Sequence, residues 1–463
     1  MPATDPALLS AEELLGLYAS RALSPVEALQ AVTARIARLN PVLNAFVAMN
    51  PHAMVAAGES AARWAAGRPL GLLDGVPCTV KDLLDLAGFP TRRGSRATDP
   101  SPVAEDAPAV VGLKSQGAVI LGKTTTTEFG WKSPGDCPLN GITRNPWNPA
   151  YTPGGSSSGA GAAGAAGFGP LHIGTDAGGS VRIPAAWCGL IGLKPTYGRI
   201  PQWPAGAFSA VAAAGPMTRT VRDTALMLSA MARHDLRDPL CLPDDPRDWR
   251  DGIEASVAGL RVAILSRPGF DPPADAESIA AVNEAASLLA EAGADIEEAS
   301  PDMPDTREIF SRVWSVALAR LVGTFTPEKQ ALLDPGLLEV AAAAKGVSAT
   351  EFLDADALRL LAGHAMARFH QRFDLVLCPT VPNPPMLADA PTTDPMQALW
   401  TLWAPWTFTF NLTRQPAITV PMGIGANGLP RSVQIAAAQF RDDLVFRAAR
   451  AIELQKPFPM VTL

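Results

Sequence analysis

Several residue types are scarce in this 463-residue chain, which has five cysteines, five histidines and three tyrosines. The cysteines are odd in number and scattered, without the spacing of a metal site: Cys78, Cys137, Cys188, Cys241 and Cys378. This usage favours reduced thiols in a cytoplasmic protein over a disulfide framework. We expect neither a metal ion nor a cofactor.

Long apolar runs and clusters of basic residues are also missing. No run reaches 18 apolar residues, so the sequence predicts no membrane-spanning helix. The first residues, MPATDPALLSAEELL, lack the cationic start of a signal peptide. The formal net charge is −7 and no basic stripe occurs, which argues against nucleic acid as the main partner. We therefore predict a cytoplasmic protein with neither a nucleic-acid nor a membrane partner.

What the sequence does contain is an alternation of helical and strand-like segments. Ser10 and Ser24 each begin a capping box before a helical pattern, and the second pattern ends at Pro41. GVPCTVKD (75–82) is typical of a short buried strand with Lys81 at its end. Further helices are predicted over 106–116 and 277–294, and further strands over 118–121, 259–265, 374–380, 416–421 and 431–436. The alternation predicts an α/β fold with a largely buried sheet.

Residues 117–124, GAVILGKT, match the phosphate-loop pattern letter for letter. That motif needs a loop wrapped round phosphates between a strand and a helix. Here the four variable positions are themselves strand-like, and TTTTEFG after them is a poor helix start. We do not expect a nucleotide site.

The stretch GGSSSGAG (154–161) also fits the nucleophile elbow GxSxG of α/β-hydrolases, with Ser157 as the nucleophile. An elbow needs a strand running into it, whereas the preceding RNPWNPAYTPG has three prolines. No histidine stands in a context that marks it as the base. An esterase that uses Ser157 stays open as an alternative.

The Gly- and Ala-rich composition from 154 to 179 fits a flexible linker as well. The following LHIGTDAGGSVRIPAAWCG, however, contains a short strand, a turn and a helix start. A small-residue helix packed closely against a sheet is the better interpretation.

Gly178, Gly179 and Ser180 stand where a helical stretch begins, with Arg182 in its first turn. Consecutive glycines let backbone amides converge on one point, and a helix N-terminus adds partial positive charge there. This arrangement suits an oxyanion hole, so Ser180 is a candidate nucleophile, with a helix N-cap as its alternative role. Lys81 is the candidate base if burial keeps it neutral, and a solvated surface charge is its alternative.

Taken together, the motifs resemble the amidase signature family of serine hydrolases, which cleave C–N bonds. GGSSSGAG…GTDAGGSVRIPAAWCGLIGLKPTYGRI (154–200) follows the family signature closely. Further blocks are similar and stand in the expected order: GVPCTVKD, GKTTTTEFG, ITRNPWNP, GPMTRTVRD and FNLTRQPAITVPMG. The resemblance extends from about residue 10 to the C-terminus.

The resemblance implies a large mixed β-sheet core flanked by helices on both sides, within a single amidase domain over 1–463. Its expected parts are N-terminal helices at about 10–50, a signature core at about 70–230, a surface excursion at about 235–252 and a helical insert at about 300–373. After Ser158 the chain has GAGAAG where the family has bulkier aliphatic residues, which indicates tight helix packing.

For the site, the resemblance implies a triad of Lys81 as base, Ser156 as bridging serine beside a cis peptide bond, and Ser180 as nucleophile. The backbone amides implied for the oxyanion hole are those of Ala177, Gly178, Gly179 and Ser180. The supporting positions are Ser157, Thr175, Asp176 and Arg182. We expect Ser157 and Ser158 to cap and brace the helix that follows them.

The segments implied for substrate binding are aromatic or built from small residues. They contain Phe129, Gly130, Trp131, Trp203 and Phe208. The last two lie in the loop 201–216, and the set indicates an apolar or aryl amide, anilide or carbamate. A free carboxylate on the substrate would want a fixed cation, for which Arg219 is the one candidate. Trp400, Trp403 and Trp406 fall on one side of a presumed helix, where core packing is favoured over a substrate wall.

Two other functions stay open within this resemblance. A glutamyl-tRNA amidotransferase A-like subunit shares the triad, but the weak basic character and the alanine-rich stretch 205–214 count against it. A binding protein without activity would be expected to lose a triad residue, and all three are kept. We predict a small-molecule amide as the partner and leave a homodimer open.

Overall fold

An eleven-stranded mixed sheet forms the centre of the structure, a computed structural model that describes residues 5–265, 274–390 and 399–461. The strands of the first half are β1 (Phe46–Met49), β2 (Pro77–Lys81), β3 (Val119–Thr124), β4 (Asp136–Cys137), β5 (Gly141–Ile142), β6 (Leu171–Asp176), β7 (Ile191–Lys194) and β8 (Ala213–Thr218). The strands of the second half are β9 (Arg261–Ile264), β10 (Asp295–Glu298), β11 (Leu375–Pro379), β12 (Ala417–Ile424) and β13 (Pro430–Ala437). β4 and β5 pair with each other as a separate ribbon.

Helices connect and cover these strands. Those of the first half are α1 (Ala11–Ala19), α2 (Pro25–Leu43), α3 (Ala53–Ala65), α4 (Pro108–Ser115), α5 (Ser158–Ala165), α6 (Arg182–Cys188) and α7 (Val221–Met231). Those of the second half are α8 (Ala276–Glu291), α9 (Thr306–Val322), α10 (Pro327–Gln330), α11 (Pro335–Ala342), α12 (Ala349–Phe369), α13 (Trp400–Trp403), α14 (Pro405–Leu412) and α15 (Asp442–Gln455). Short 3-10 helices cover Pro6–Leu8 and Glu128–Gly130. Within the described ranges, none of the helices combines the length and the apolar character needed to cross a bilayer.

The order across the sheet is β1-β3-β2-β6-β8-β7-β12-β13-β11-β9-β10. β2 runs parallel to β3 and β6, and β9 runs parallel to β10 and β11, whereas the other neighbours are antiparallel. Strands from both halves of the chain thus join one sheet, and the predicted large mixed sheet with flanking helices is confirmed. The division into a single domain stays a prediction.

Side-chain alternation divides the strand residues between two faces of the sheet, and both faces contain hydrophobic clusters. Cys78 and Val80 of β2 join Ile173 of β6 in the largest hydrophobic core, to which α4, α7, α8 and α15 contribute. Successive side chains of a strand point to opposite faces, so Lys81 lies on the other face of β2. There α5 packs against β6 and α6 packs against β7 and β12. The face that contains Lys81 is therefore where the signature segments meet.

α5 approaches the strands closely because its residues are small. All eight residues of SGAGAAGA are buried. A β-carbon built at Gly159 would overlap the carbonyl oxygen of Ala45 and the amide of Thr125, and one at Gly174 of β6 would lie 2.7 Å from Ser157 Oγ. The predicted tight packing is present, and the linker interpretation is wrong.

Most predicted elements appear with bounds shifted by a few residues, but α2 runs beyond its expected end. It continues through Pro41 to Leu43. Pro41 lies in the last turn, where a proline removes only one helical hydrogen bond. Asn44, in the left-handed conformation, closes the helix by donating its amide to Asn40 O at 2.8 Å. The prediction that the pattern ends at Pro41 is corrected by two residues.

Helices α9 to α12 occupy the predicted insert and cover an aromatic cluster. Trp400, Trp403 and Trp406 are each at most 3% exposed, which confirms that they belong to the core. They do not share one helix, because α13 ends at Trp403 and α14 begins at Pro405. Proline fits the first position of a new helix but lacks the amide that would continue the previous one. The predicted excursion at 235–252 has neither helix nor strand.

Candidate active site

Lys81 is the last residue of β2, beside the carboxyl end of the parallel strand β6. Its Nζ lies 2.8 Å from Ser156 Oγ, 2.9 Å from Ser157 Oγ and 3.0 Å from Thr175 Oγ1. It also donates to Thr175 O at 3.3 Å. The side chain is fully buried, so the alternative of a solvated surface charge is wrong.

Burial determines the charge state of this lysine. It lowers the pKa of Lys81 well below its ordinary value of 10.5, because desolvation disfavours the ammonium form. The negative charge of Asp176 raises the pKa but does not cancel the effect of burial. A neutral amine has a lone pair that can accept the Ser156 hydroxyl proton across 2.8 Å. The geometry therefore suits a general base.

Ser156 and Ser180 are brought together by the backbone of their two segments. The Gly155–Ser156 peptide bond is cis, as the resemblance implies. The amide of Ser157 donates to Ser180 O at 3.2 Å, which joins the two segments. Ser156 and Ser180 line the same cavity. The three predicted triad residues thus meet in one place, and their catalytic roles stay predictions.

The Ser157 side chain forms different hydrogen bonds from those expected. It is the N-cap residue of α5, but its side chain makes no capping hydrogen bond. Its hydroxyl instead accepts from Lys81 Nζ, accepts from Thr175 N at 3.3 Å and donates to Thr175 O at 3.3 Å. The capping prediction for Ser157 is wrong because these groups occupy its oxygen. Ser158 Oγ reaches Ser156 O at 3.5 Å.

The structure contradicts three alternative interpretations of the sequence. These are the nucleophile elbow at Ser157, the phosphate loop at 117–124 and the role of Ser180 as a helix N-cap. In the described part of the chain no strand runs into Ser157, and this fully buried side chain is not part of the cavity wall. Lys123 belongs to β3, and its Nζ forms a buried ion pair with Asp82 Oδ1 at 2.8 Å. The N-cap of α6 is Val181, one residue after Ser180.

A buried ion pair holds the turn that carries Ser180. Arg182 Nη2 and Nε each donate to Asp176, at 2.9 Å to Oδ1 and 2.9 Å to Oδ2. Burial alone would raise the pKa of Asp176, but Arg182 and Asn411 hold it well below its ordinary value. Nη1 of the same arginine donates to Gln434 Oε1 at 2.6 Å and to Thr407 O at 2.8 Å. The supporting role predicted for this pair has a clear structural basis.

The oxyanion hole differs from the expectation at one position. Gly179 N donates to Asp176 Oδ1 at 2.8 Å, because the buried carboxylate accepts the nearest amide of the turn. This corrects the prediction that Gly179 N faces an oxyanion. Within the described ranges, the amides of Ala177, Gly178 and Ser180 donate no hydrogen bond to another protein group. These three amides can serve an oxyanion.

A largely apolar cavity opens beside the two serines. Four of the predicted substrate-binding residues line it: Phe129, Gly130, Trp203 and Phe208. Trp131 lies behind the wall, where its carbonyl accepts the indole N–H of Trp314 at 3.2 Å and of Trp400 at 3.0 Å. Trp131 is therefore a supporting residue of the wall, and the binding roles of the other four stay predictions.

Sequence reasoning missed several residues around the site. Asn411 and Gln434 hold the Asp176–Arg182 pair, and the signal for Gln434 was a polar residue within a predicted buried strand. Arg219, the expected cation, is absent from the cavity wall, because its guanidinium donates to Leu9 O at 2.7 Å and to Gly169 O at 2.9 Å. Among the described residues the cation in the wall is Arg93, which no sequence motif indicates.

A metal centre is not found either. In the part of the chain that the structure describes, no three His, Cys, Asp or Glu side chains are grouped to hold a metal ion.

Comparison with known proteins identifies the family. Residues 27–446 match the profile of the Amidase family. The chain belongs to the amidase signature family. This amidase is 38% identical over 458 residues to an acylamidase of Rhodococcus erythropolis, with 97% of the chain and 96% of the relative covered. The family and this relative show an amide-hydrolysing enzyme.

Two further relatives of this amidase differ in their described activities. One is the crystal structure of a bacterial aryl acylamidase of the amidase signature family, with a TM-score of 0.89, 28% identity and coverage of 97% of this chain and 96% of that one. The other is the glutamyl-tRNA(Gln) amidotransferase A subunit of Geobacter metallireducens, 33% identical over 476 residues with 96% of each chain covered. The amidase signature fold is thus established, whereas these relatives differ in what they are described to act on.

Proposed function

We propose that this amidase hydrolyses small amides with an apolar or aryl part, including anilides and carbamates, through an acyl-enzyme on Ser180. One observation carries the proposal: the buried Lys81 amine lies 2.8 Å from Ser156 Oγ, beside a cavity that Ser156 and Ser180 both line. A cytoplasmic location belongs to the proposal, and the unpaired state of the cysteines supports it.

In the first half-reaction, neutral Lys81 accepts the proton of Ser156 while Ser156 accepts that of Ser180. Ser180 Oγ bonds to the substrate carbonyl carbon, and the amides of Ala177, Gly178 and Ser180 stabilise the oxyanion. Ser156 then donates a proton to the substrate nitrogen and regains one from Lys81, and the C–N bond breaks. The amine leaves, and the acyl group stays on Ser180.

In the second half-reaction, water takes the place of the Ser180 hydroxyl. Ser156, backed by Lys81, accepts a proton from the water as its oxygen bonds to the acyl carbon. The bond to Ser180 Oγ breaks, and the serine oxygen regains its proton from Ser156. The free acid leaves, and the three side chains return to their starting protonation states.

The cavity supports the substrate class. Phe129, Trp203 and Phe208 supply apolar and aromatic surface, and Phe208 stacks on Trp314 with ring centres 3.7 Å apart. The acylamidase and aryl acylamidase relatives support the same class.

A glutamyl-tRNA amidotransferase A-like activity is the second candidate, favoured by the 33% identity to such a protein. The discriminating experiment measures kcat/KM for hexanoic anilide, ethyl N-phenylcarbamate and hexanamide. We expect the anilide and the carbamate to be cleaved at least tenfold better than the primary amide. Ser180→Ala should lose all three activities, whereas Ser287→Ala, on the exposed side of α8, should keep them. Cleavage of hexanamide without cleavage of the aryl substrates would contradict the proposed preference for aryl amides and leave the second candidate open.

A further inference from the structure

Among the described residues, Arg93 is the only one in the cavity wall that has a charged side chain. The rest of that wall consists of apolar, small or uncharged polar residues, the two serines among them. The proposed chemistry uses Lys81, Ser156 and Ser180, none of which needs an arginine in the wall. The cleavage chemistry therefore does not explain why the cavity wall contains a cation.

The backbone of Arg93 is fixed on both sides. Its φ of 54° lies in the left-handed region, which residues other than glycine seldom adopt. Its amide donates to Asp82 O at 3.2 Å, and its carbonyl accepts the amide of Phe129 at 2.8 Å. The residue is thus connected to the neighbour of Lys81 on one side and to the cavity wall on the other.

A buried charge pair holds the segment that leads to Arg93. Lys123 Nζ contacts Asp82 Oδ1 at 2.8 Å and donates to Thr91 Oγ1 at 2.9 Å and to Pro90 O at 3.0 Å. Lys123 and Asp82 are fully buried, so this anchoring is isolated from solvent. These buried contacts fix the position of the segment that leads to Arg93.

The guanidinium itself is largely unengaged. Its one charged contact within the described ranges is Asp85 Oδ1 at 3.9 Å, which is beyond hydrogen-bond distance. The Arg93 side chain is 37% exposed, and an ion pair of this kind contributes little. No other group in the described part of the chain accepts a hydrogen bond from this guanidinium. Its planar set of N–H donors is available to a ligand.

We propose that Arg93 binds a carboxylate carried by the substrate, at an end remote from the bond that is cleaved. A guanidinium presents two parallel N–H donors that match the two oxygens of a carboxylate. The apolar surroundings screen such a pair less than water does. This inference rests on the proposed function and narrows its substrates to amides whose acyl or amine part ends in a carboxylate.

Turnover of three anilides tests the inference: hexanoic anilide, adipic acid monoanilide and N-hexanoyl-4-aminobenzoate. The first is neutral, the second has a carboxylate on the acyl part, and the third has one on the amine part. We expect the wild type to prefer one of the two acids over the neutral anilide in kcat/KM. The measured quantity is the ratio of kcat/KM for the preferred acid to kcat/KM for the neutral anilide. This ratio should fall at least tenfold in Arg93→Met and fall less in Arg93→Lys. It should rise in Asp85→Asn, which removes the competing carboxylate. Equal ratios in all four proteins would overturn the inference.

A binding measurement separates this inference from the proposed function. Calorimetry with the two acids is performed on Ser180→Ala and on Ser180→Ala with Arg93→Met, after thermal unfolding has shown that both are folded. At least tenfold weaker binding of one acid in the double variant supports the carboxylate site even if no anilide is cleaved. Equal affinity in the two proteins contradicts it even if the neutral anilide is a good substrate. If the Met variant does not fold, Arg93→Lys and Asp85→Asn provide the comparison.

Discussion

Burial makes Lys81 reactive and at the same time opposes stability. An ammonium in this position would lose its hydration, so the folded protein favours the neutral amine. The unfolded chain binds a proton at this lysine up to its ordinary pKa. The free energy of unfolding of the wild type should therefore rise with pH between the lowered pKa of the folded state and the ordinary pKa. Activity should be lost as pH falls through the lowered pKa.

Lys81→Met should reduce amide hydrolysis on the order of 10²–10⁴-fold, because the proton acceptor is removed. It should remain folded and lose the part of the pH dependence of unfolding that Lys81 causes, because methionine cannot bind the proton. Steady-state kinetics and urea unfolding at several pH values measure both effects. Lys114→Met is the matched control, since Lys114 is a surface residue paired with Asp106. Full activity in folded Lys81→Met would show that this lysine is not the base.

Single residues were predictable where a local motif defines them. Lys81, Ser156 and Ser180 stand in motifs that can be read along the chain, and the structure brings them together. The hydrogen bond from Gly179 N to Asp176 and the place of Arg93 in the cavity wall could not be predicted. Each depends on how a turn folds in three dimensions. Local spacing does not contain that information.

At the scale of elements, α5 shows how composition sets distance. Its glycines and alanines let the helix approach Ala45, which precedes β1, and Thr125, which follows β3, so closely that Gly159 N donates to Thr125 O at 3.1 Å. The same approach brings Ser157 Oγ to Lys81 Nζ at 2.9 Å. The small residues of α5 therefore determine the geometry of the site as well as the packing.

Gly159→Ala should destabilise the protein by about 1–3 kcal/mol, because the added methyl overlaps Ala45 O and Thr125 N. It should also lower kcat by displacing Ser156 and Ser157, which directly precede α5. The matched control is Gly58→Ala in the exposed middle of α3, where a β-carbon meets nothing within 4 Å. That variant should gain up to about 1 kcal/mol from helix propensity. Chemical denaturation measures both, and equal effects of the two substitutions would contradict the close-packing account.

Elements with strong local signals were predicted well. The capping boxes at Ser10 and Ser24 and the strand that ends at Lys81 appear as expected. The continuation of α2 through Pro41 and the break before Pro405 were missed, because tertiary packing decides how a proline at the edge of a helical pattern is accommodated.

At the scale of the whole molecule, a buried carboxylate connects the helical insert to the cavity wall. Glu128 Oε2 accepts the amide of Asp334, the N-cap of α11, at 2.6 Å. Glu128 also directly precedes Phe129 of the wall. Burial raises the pKa of Glu128 to about 7 against its hydrogen bonds from Ser95 and Asp334. The insert is thus attached through a group that titrates near neutral pH.

The pKa of Glu128 is raised in the folded state, so its stabilising contribution is full below the ordinary value of 4.5 and is lost as pH rises through about 7. Glu128→Gln stays neutral throughout. The free energy of unfolding of the wild type relative to Glu128→Gln should therefore fall by about 1–3 kcal/mol between pH 4.5 and pH 8. Urea unfolding across this range measures the difference, with Glu59→Gln on the exposed side of α3 as control. Parallel curves for the wild type and Glu128→Gln would contradict this account.

The overall architecture could be predicted because the family resemblance covers nearly the whole chain. The contacts that complete the site could not, since Arg182 joins Asn411 and Gln434 from more than two hundred residues away. Sequence patterns identify the elements, and the order of strands in the sheet decides which distant residues meet.

The central claim is that Ser180 is the nucleophile of an acyl-transfer site. The most direct test is reaction with phenylmethylsulfonyl fluoride, followed by mass-spectrometric mapping of the labelled peptide. We predict a single label on Ser180, which disappears in Ser180→Ala and is greatly slowed in Lys81→Met. A label on Ser156 or Ser157, or an unlabelled Ser180 in folded protein that hydrolyses anilides, would contradict the claim.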